Sequence, residues 1–414
     1  MNITETKFTP NCVSQRGVYS FLNQTVFVLA GVLIFFNPFP HTTAIKEISF
    51  YLVIAIVIFL IASKKSGFSL QSPLTVPFAL FVLWAGASTL WAVDVPNTIH
   101  DVYAHLIKCI AMYYVLINYY NSEKRLTILT WLIIISTAIF AIKGMANYYI
   151  IMDISLKERL IHSTGAPVNS SAILNLFCTF LSLFFLTREK RWLVRIFLVI
   201  CFAGTFTATL LSYSRAALIA LFISAVVLFL SNKEHKKRIL PLLVILSLVA
   251  GGVYLYSPHL KLLRPEALCK DPRIGIYYTC LEIFKDHPLA GVGFGGETFE
   301  KHMWNEYNSR IPEQLQSTDA ASSPHGFVFD IMVRLGLVGL VLFGVIIIRV
   351  LQLNRVVLNC QDPSIREWGP YLLASLTGML VAGFFGSILH GAASWNFYIL
   401  LAMITILWRL AHNP

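Results

Sequence analysis

Charge is what this sequence has least of. Only 13% of its 414 residues are Asp, Glu, Lys or Arg, against about 25% in an ordinary soluble domain, while 57% are apolar against roughly 45 to 50%. Such a chain cannot present a solvated surface on all sides, which excludes a soluble globular enzyme. Acidic residues are scarcest, 21 against 32 basic ones, and the net charge is +11. That balance invites a nucleic-acid partner, but Lys and Arg between long apolar runs are first of all topology signals, and no nucleic-acid partner is expected. Met1 to Ser20 lacks the basic start, short apolar core and small-residue cleavage site of a signal peptide, so the first apolar run is expected to be retained. Cys-x-x-Cys and His-rich spacings are also missing, which leaves no sign of a structural metal.

What is present in abundance is apolar runs long enough to cross a hydrocarbon core of about 30 Å. They fall at about 22–37, 48–62, 74–91, 103–120, 126–147, 168–187, 192–212, 215–231, 239–257, 327–350, 370–390 and 393–410. The fold class is therefore an all-α integral membrane protein of about 12 transmembrane helices, one polytopic domain over 1–414. Basic residues cluster in alternate connections: Lys64 and Lys65; Lys124 and Arg125; Arg188, Lys190, Arg191 and Arg195; Lys233, Lys236, Lys237 and Arg238; Arg349, Arg355 and Arg366. The other short loops hold only Lys46, Lys157, Arg159 and Arg215, together with Asp94 and Asp101. The positive-inside rule makes the first set cytoplasmic, with both termini on that side.

One long connection, 258–326, then faces away from the cytoplasm. Its aromatic, Gly and Pro content reads as a small folded piece rather than a linker. Asp271-Pro272 reads as N-cap and first residue of a helix over about 272–285, which runs into Gly291, Gly293 and Gly295. No strand, following helix or Lys-Ser/Thr completes a nucleotide loop there, so these glycines are read as turn formers that allow close backbone packing. Of seven cysteines, five fall in predicted spans or on the cytoplasmic side and read as small apolar residues or free thiols. Cys269 and Cys280 share the long loop, where a bridge needs the chain to double back at Asp271-Pro272.

Several places could carry chemistry. His325 follows Ser323-Pro324 and precedes the run from Phe327, so it sits ahead of a helix N-terminus at a membrane edge; the partial positive charge there favours the neutral imidazole, able to accept a proton. It reads equally as a helix anchor. Arg215, after Ser212-Tyr213-Ser214, lies on the side the charge rule does not explain, either as an anion ligand or as a residue snorkelling to headgroups. Arg273, in the first turn of the loop helix, is an anion ligand or a solvated partner of Asp271 or Asp286. Asp330 and Arg334, one turn apart, read first as an ion pair; Lys108 and Lys143, within predicted spans, need partners or water. Asp94 and Asp101 are a weak carboxylate pair, equally well read as helix caps.

Together these residues resemble a family. His325, one residue, nine residues, Gly336, two residues and Gly339 is similar to the signature of the O-antigen ligase and polymerase superfamily. Ser214-Arg215 resembles its Ser-Arg at an outer helix start, and Arg273 ahead of Pro288-Leu289-Ala290-Gly291-Val292-Gly293-Phe294-Gly295 resembles its Arg, then Pro-x-x-Gly-x-Gly-x-Gly. The resemblance covers about Ser212 to Gly339. One departure stands out: the family carries Asn, Ser or Gln after the His, and this chain carries Gly326, which shifts support of the imidazole to Ser322, Ser323 or Asp330.

The resemblance implies a GT-C-like glycosyltransferase of the bacterial inner membrane, with its site on the periplasmic side. Its donor would be a glycan on undecaprenyl diphosphate and its acceptor a lipid A-core sugar hydroxyl. His325 would be catalytic, Arg215 and Arg273 would bind the diphosphate, and Ser214, Asp330 and Arg334 would support them, with no cofactor, metal or obligatory protein partner. An O-antigen polymerase, a protein-glycosylating ligase and a flippase of lipid-linked sugars stay open; the flippase fits least, because alternating access places binding groups near the midplane.

Overall fold

In the computed structural model, residues 11–64, 67–161, 168–232, 251–252, 273–316, 321, 323–389 and 391–412 are described. Every regular element among them is helical. The predicted spans coincide with α1 (Asn11–Phe36), α2 (Thr43–Ala62), α3 (Thr75–Leu90), α4 (Val95–Tyr119), α5 (Glu123–Ile151), α6 (Val168–Arg188), α7 (Trp192–Leu211) and α8 (Arg215–Ser231). After α9 (Arg273–Asp286) come α10 (Phe327–Leu358), α11 (Trp368–Phe384) and α12 (Gly391–His412). Eight of these helices are long and apolar enough to cross a membrane; α3 and α8 are shorter apolar helices. The predicted span 239–257 lies outside the described residues except for 251–252, as do Asp271, Pro272, Cys269 and Ser322.

Local chemistry sets the ends. Asp94 caps α4 by accepting from the Asn97 N–H at 3.0 Å, with Pro96 in the first turn, and Ser214 caps α8 through the Ala217 N–H at 3.3 Å. α11 ends at Phe384, six residues before the predicted end at 390, in a turn closed by the Phe385 N–H on Ala382 O and the Gly386 N–H on Gly383 O.

The bundle pairs α11 with α8 and α6, α10 with α3 and α12, and α12 with α4. Its core is apolar and aromatic, with Trp368, Tyr113, Tyr371, Phe177 and Phe397 fully buried. A second cluster belongs to the segment 273–316: Ile276, Cys280, Ile283, Phe299, Trp304 and Tyr307 gather on Met332 and Val333 of α10. The described part of the long connection, 273–316, is thus a folded piece seated on a helix of the bundle. Cys280 is a free, buried thiol, and burial raises its pKa well above the usual value.

α10 is where the single predicted span over 327–350 needs correction. The helix breaks at Gly336, whose φ of 65° and ψ of −161° are open only to glycine at low cost. A break inside a membrane span leaves carbonyls and N–H groups without helical partners, each costing several kcal/mol in hydrocarbon. Here they are met by the glycine loop. The Val292 and Gly293 N–H groups donate to Val333 O and Arg334 O at 3.0 Å, and the Leu337 and Val338 N–H groups donate to Pro288 O and Leu289 O at 2.9 and 3.3 Å. Trp84 Nε1 of α3 closes the set on Leu335 O at 3.0 Å.

Candidate functional site

The glycine loop approaches so closely that side chains have no room. A Cβ on Gly291 would lie 2.4 Å from the Arg334 carbonyl carbon, and one on Gly336 would lie 2.3 Å from that of Leu289. The loop's far side is held by the chain around α4: the Phe294 N–H donates to Ser88 Oγ, Gly295 to Thr98 Oγ1 and Gly296 to Asp101 Oδ2, at 3.2, 3.2 and 2.7 Å. Its amides are spent on protein acceptors rather than turned towards a ligand. Asp330 and Arg334 belong to the same interlock. Both are buried, their Oδ1 and Nε are 2.5 Å apart, Arg334 Nη1 donates to Phe294 O at 3.0 Å, and Ser387 Oγ donates to Asp330 Oδ2 at 3.3 Å. The ion-pair reading of these two residues therefore holds, and both are turned to the glycine loop and the turn after α11.

Asp94 and Asp101 are likewise occupied, Asp94 as the cap of α4 and Asp101 as acceptor for Gly296 and neighbour of His100 Nδ1 at 2.9 Å. Among the described residues no three His, Cys, Asp or Glu gather as metal ligands. Lys108 meets its expected need for a partner through Glu47 Oε2 at 2.5 Å and the surrounding rings of Phe50, Tyr51 and Tyr103. Lys143 differs: it is exposed, on the face of α5 that lines a cavity of about 640 Å³ with Phe35, Phe36, Phe39 and Phe140, so the reading of a buried lysine does not hold. Its place near the end of α5 lets it reach the interface.

The second cluster is cationic. Ser212, Tyr213 and Ser214 form a tight turn with Tyr213 left-handed at φ 43°, and Arg215 opens α8. The segment after α5 folds over this turn: Leu156 O accepts from Tyr213 Oη at 2.7 Å, the Leu160 N–H donates to Leu211 O at 2.8 Å, and Arg159 Nε donates to Ser212 O at 2.8 Å. Arg159 is half-buried, and its proton affinity is lowered, first by burial and then by the positive charges of Arg273 and Arg215. Like charges press on one another this way only when close. Three guanidinium groups from the α5–α6 connection, α8 and α9 thus share one neighbourhood, and two of them, Arg215 and Arg273, head their helices, where free N–H groups add positive potential. Sequence reasoning singled out Arg215 and Arg273 and passed over Arg159. The signal was there: Arg159 belongs to the same basic-poor set of loops as Arg215, where the charge rule does not account for it.

His325 stands at the head of α10. Its φ is 52°, a left-handed conformation that costs a residue other than glycine about 1–3 kcal/mol and persists only where its surroundings enforce it. Pro324 before it is buried, Tyr277 Oη of α9 donates to His325 O at 3.4 Å, and the Asp330 N–H closes the first helical turn on Gly326 O at 2.8 Å. A Cβ on Gly326 would lie 2.5 Å from Phe384 O, the end of α11. That contact is the physical reason for glycine after the His: an Asn, Ser or Gln would push the backbone of α11 away. α9 spans the two sets of groups, since it begins at Arg273 and reaches the His325 turn through Tyr277 one turn later.

Helices of this length and apolarity, packed around an aromatic core and carrying clustered arginines and a strained histidine at helix starts, define a multi-pass α-helical membrane protein with a polar site built on loop and helix junctions. Residues 200–344 match the family model described as O-Antigen ligase, so over that stretch the resemblance to the O-antigen ligase and polymerase superfamily is borne out. The match contains Ser214-Arg215, Arg273, the glycine loop and His325 to Gly339, and leaves Arg159 outside it. No curated protein matches the chain.

Proposed function

We propose that the protein is an O-antigen ligase. It would transfer a glycan from undecaprenyl diphosphate to a sugar hydroxyl of lipid A-core on the periplasmic face of the inner membrane, with inversion and without a divalent metal. The observation that carries this reading is that Arg159 folds onto the turn that opens into Arg215, while α9, which begins at Arg273, reaches the His325 turn through Tyr277. A diphosphate bears the charge and the oxygen pattern that guanidinium forks recognise.

The reaction asks for few groups. Bond formation between the acceptor oxygen and the anomeric carbon accompanies cleavage of that carbon's bond to the diphosphate oxygen. The acceptor proton passes to His325, and the bonding electrons leave with the lipid diphosphate, whose growing charge the arginines offset. The leaving group is already an anion, so protonation by an acid is not required. Arg159 completes the arginine set, and Ser214 acts through the cap that orients Arg215. Asp330 and Arg334 support His325 at one remove, by fixing the first turns of α10.

An O-antigen polymerase needs the same donor site and differs in its acceptor, a second lipid-linked repeat. The test uses purified protein with EDTA, lipid-linked glycan and either lipid A-core or a second lipid-linked glycan. Transfer to lipid A-core by wild type, lost by a factor of at least about 10³ in His325→Ala, is expected for a histidine acting on the acceptor proton. Extension of the lipid-linked glycan alone would make the protein a polymerase. No glycosidic bond with either acceptor would remove the enzyme reading.

A further inference from the structure

We propose that Tyr277 is a positioning residue that couples the diphosphate-binding end of α9 to His325, so that the helix presenting Arg273 also sets where the imidazole stands. The inference rests on the transfer reading above and assigns a part to a residue outside its arginine and histidine set.

Arg273 and Tyr277 are four residues apart on one helix and so lie on the same face, one turn from each other. The Tyr277 ring stacks on Phe329 of α10, with centroids 4.5 Å apart and planes within 13°, and its hydroxyl reaches the His325 carbonyl at 3.4 Å. The stack aims the hydroxyl and the hydrogen bond holds the peptide after His325. That peptide starts at the carbonyl of the residue held at a left-handed φ of 52°, so the bond restrains ψ at the strained position. At the next residue the Phe384 carbonyl packs on Gly326 with no space for a Cβ. The His325 backbone is therefore gripped between α9 and the end of α11, and of the two grips only α9 also carries a candidate donor ligand. Displacement of α9 on binding a diphosphate at Arg273 would be passed to His325 through a stacked ring and one hydrogen bond.

The experiment compares wild type, Tyr277→Phe, Phe329→Leu and His325→Ala for transfer, with kcat and donor KM determined separately and with binding of undecaprenyl diphosphate itself measured directly. Tyr277→Phe keeps the ring and its stack and removes only the hydroxyl. Loss of one neutral hydrogen bond predicts a fall in kcat of roughly 3- to 10-fold, with donor KM and diphosphate affinity within about twofold of wild type. Phe329→Leu, which keeps the hydroxyl and loosens its aim, should lower the same parameter by less. A residue that serves only stability would change the amount of folded protein and leave kcat per folded molecule intact. A wild-type kcat in Tyr277→Phe beside an inactive His325→Ala overturns the coupling and leaves the transfer reading standing. A rise in KM with weakened diphosphate binding also overturns it, because Tyr277 would then belong to the donor pocket. Transfer by His325→Ala would end the reading and the coupling with it.

Discussion

The glycine interlock at Gly336 and the arginine neighbourhood around Arg215 both interrupt a row of apolar helices, and they do so for opposite ends. At Gly336 the helix opens and every group freed by the break named above finds a protein partner, from the Val292 N–H to the Trp84 indole, in a space where a Cβ would come within 2.4 Å of backbone. At Ser212 to Arg215 the chain turns and charges are gathered instead, and the proton affinity of Arg159 is lowered there, first by burial and then by Arg273 and Arg215. A region fully paired within itself is built for shape. One that brings arginines from distant segments to a single turn has the charge to recognise an anion. The comparison separates two motif types that sequence places side by side, since glycine spacing and arginine placement both suggest phosphate.

The contrast breaks most severely at the interlock. Gly336→Val places a branched side chain at φ 65° against the Leu289 carbonyl, and the added strain and lost backbone pairing are expected to cost at least about 3 kcal/mol. Folded protein in detergent, followed by size-exclusion chromatography and thermal melting, should largely disappear; normal yield would show that the loop does not hold α10. Arg159→Gln sharpens the other side. Removing one charge-assisted ligand predicts roughly a 10- to 100-fold weaker affinity for undecaprenyl diphosphate, read by direct binding. Its melting temperature should move little, because the lost contact to Ser212 O is set against relief of repulsion from Arg215 and Arg273. A large melting shift with unchanged affinity would make Arg159 a structural residue.

The smallest effect belongs to the rim of the folded loop. The Asp286 carboxyl is held below the usual carboxylate range by hydrogen bonds from Arg310 and Tyr307. A depressed folded pKa stabilises above the unfolded value, and that stabilisation is lost as pH falls through the folded one. Asp286→Asn should therefore lower the melting temperature slightly near neutrality, and the gap from wild type should close in acid. A gap that persists below the carboxylate range would mean that the substitution acts through packing. The pair is exposed, so neither region's contrast depends on it.

Much of this was legible in the sequence. Most of the described helices overlap the apolar runs, because backbone groups in hydrocarbon must be paired and an apolar helix does so within itself; α10, broken at Gly336, and α11, ending at Phe384, depart from the runs. The caps Asp94 and Ser214, the pairing of Asp330 with Arg334 and the packing role of the glycines follow from local rules of the same kind. Arg273 stood out as a charge in the first turn of the loop helix, beside free N–H groups, and Arg215 as a charge the positive-inside rule does not explain. Arg159 carried the same signal more weakly, in a loop that also holds Lys157 and Glu158, and nothing local marks it as the one that folds back on Ser212.

By itself, then, the sequence determined the solvent in which this protein lives, the helices that solvent demands and the residue types available at their ends, since all three depend on neighbours within a few turns. Only the tertiary structure decided that α10 breaks at Gly336, that Gly326 must stay bare beneath Phe384, and that Arg159, Arg215 and Arg273 share one neighbourhood. Those outcomes depend on contacts between segments tens to hundreds of residues apart, and no local spacing encodes which distant carbonyl or guanidinium will arrive.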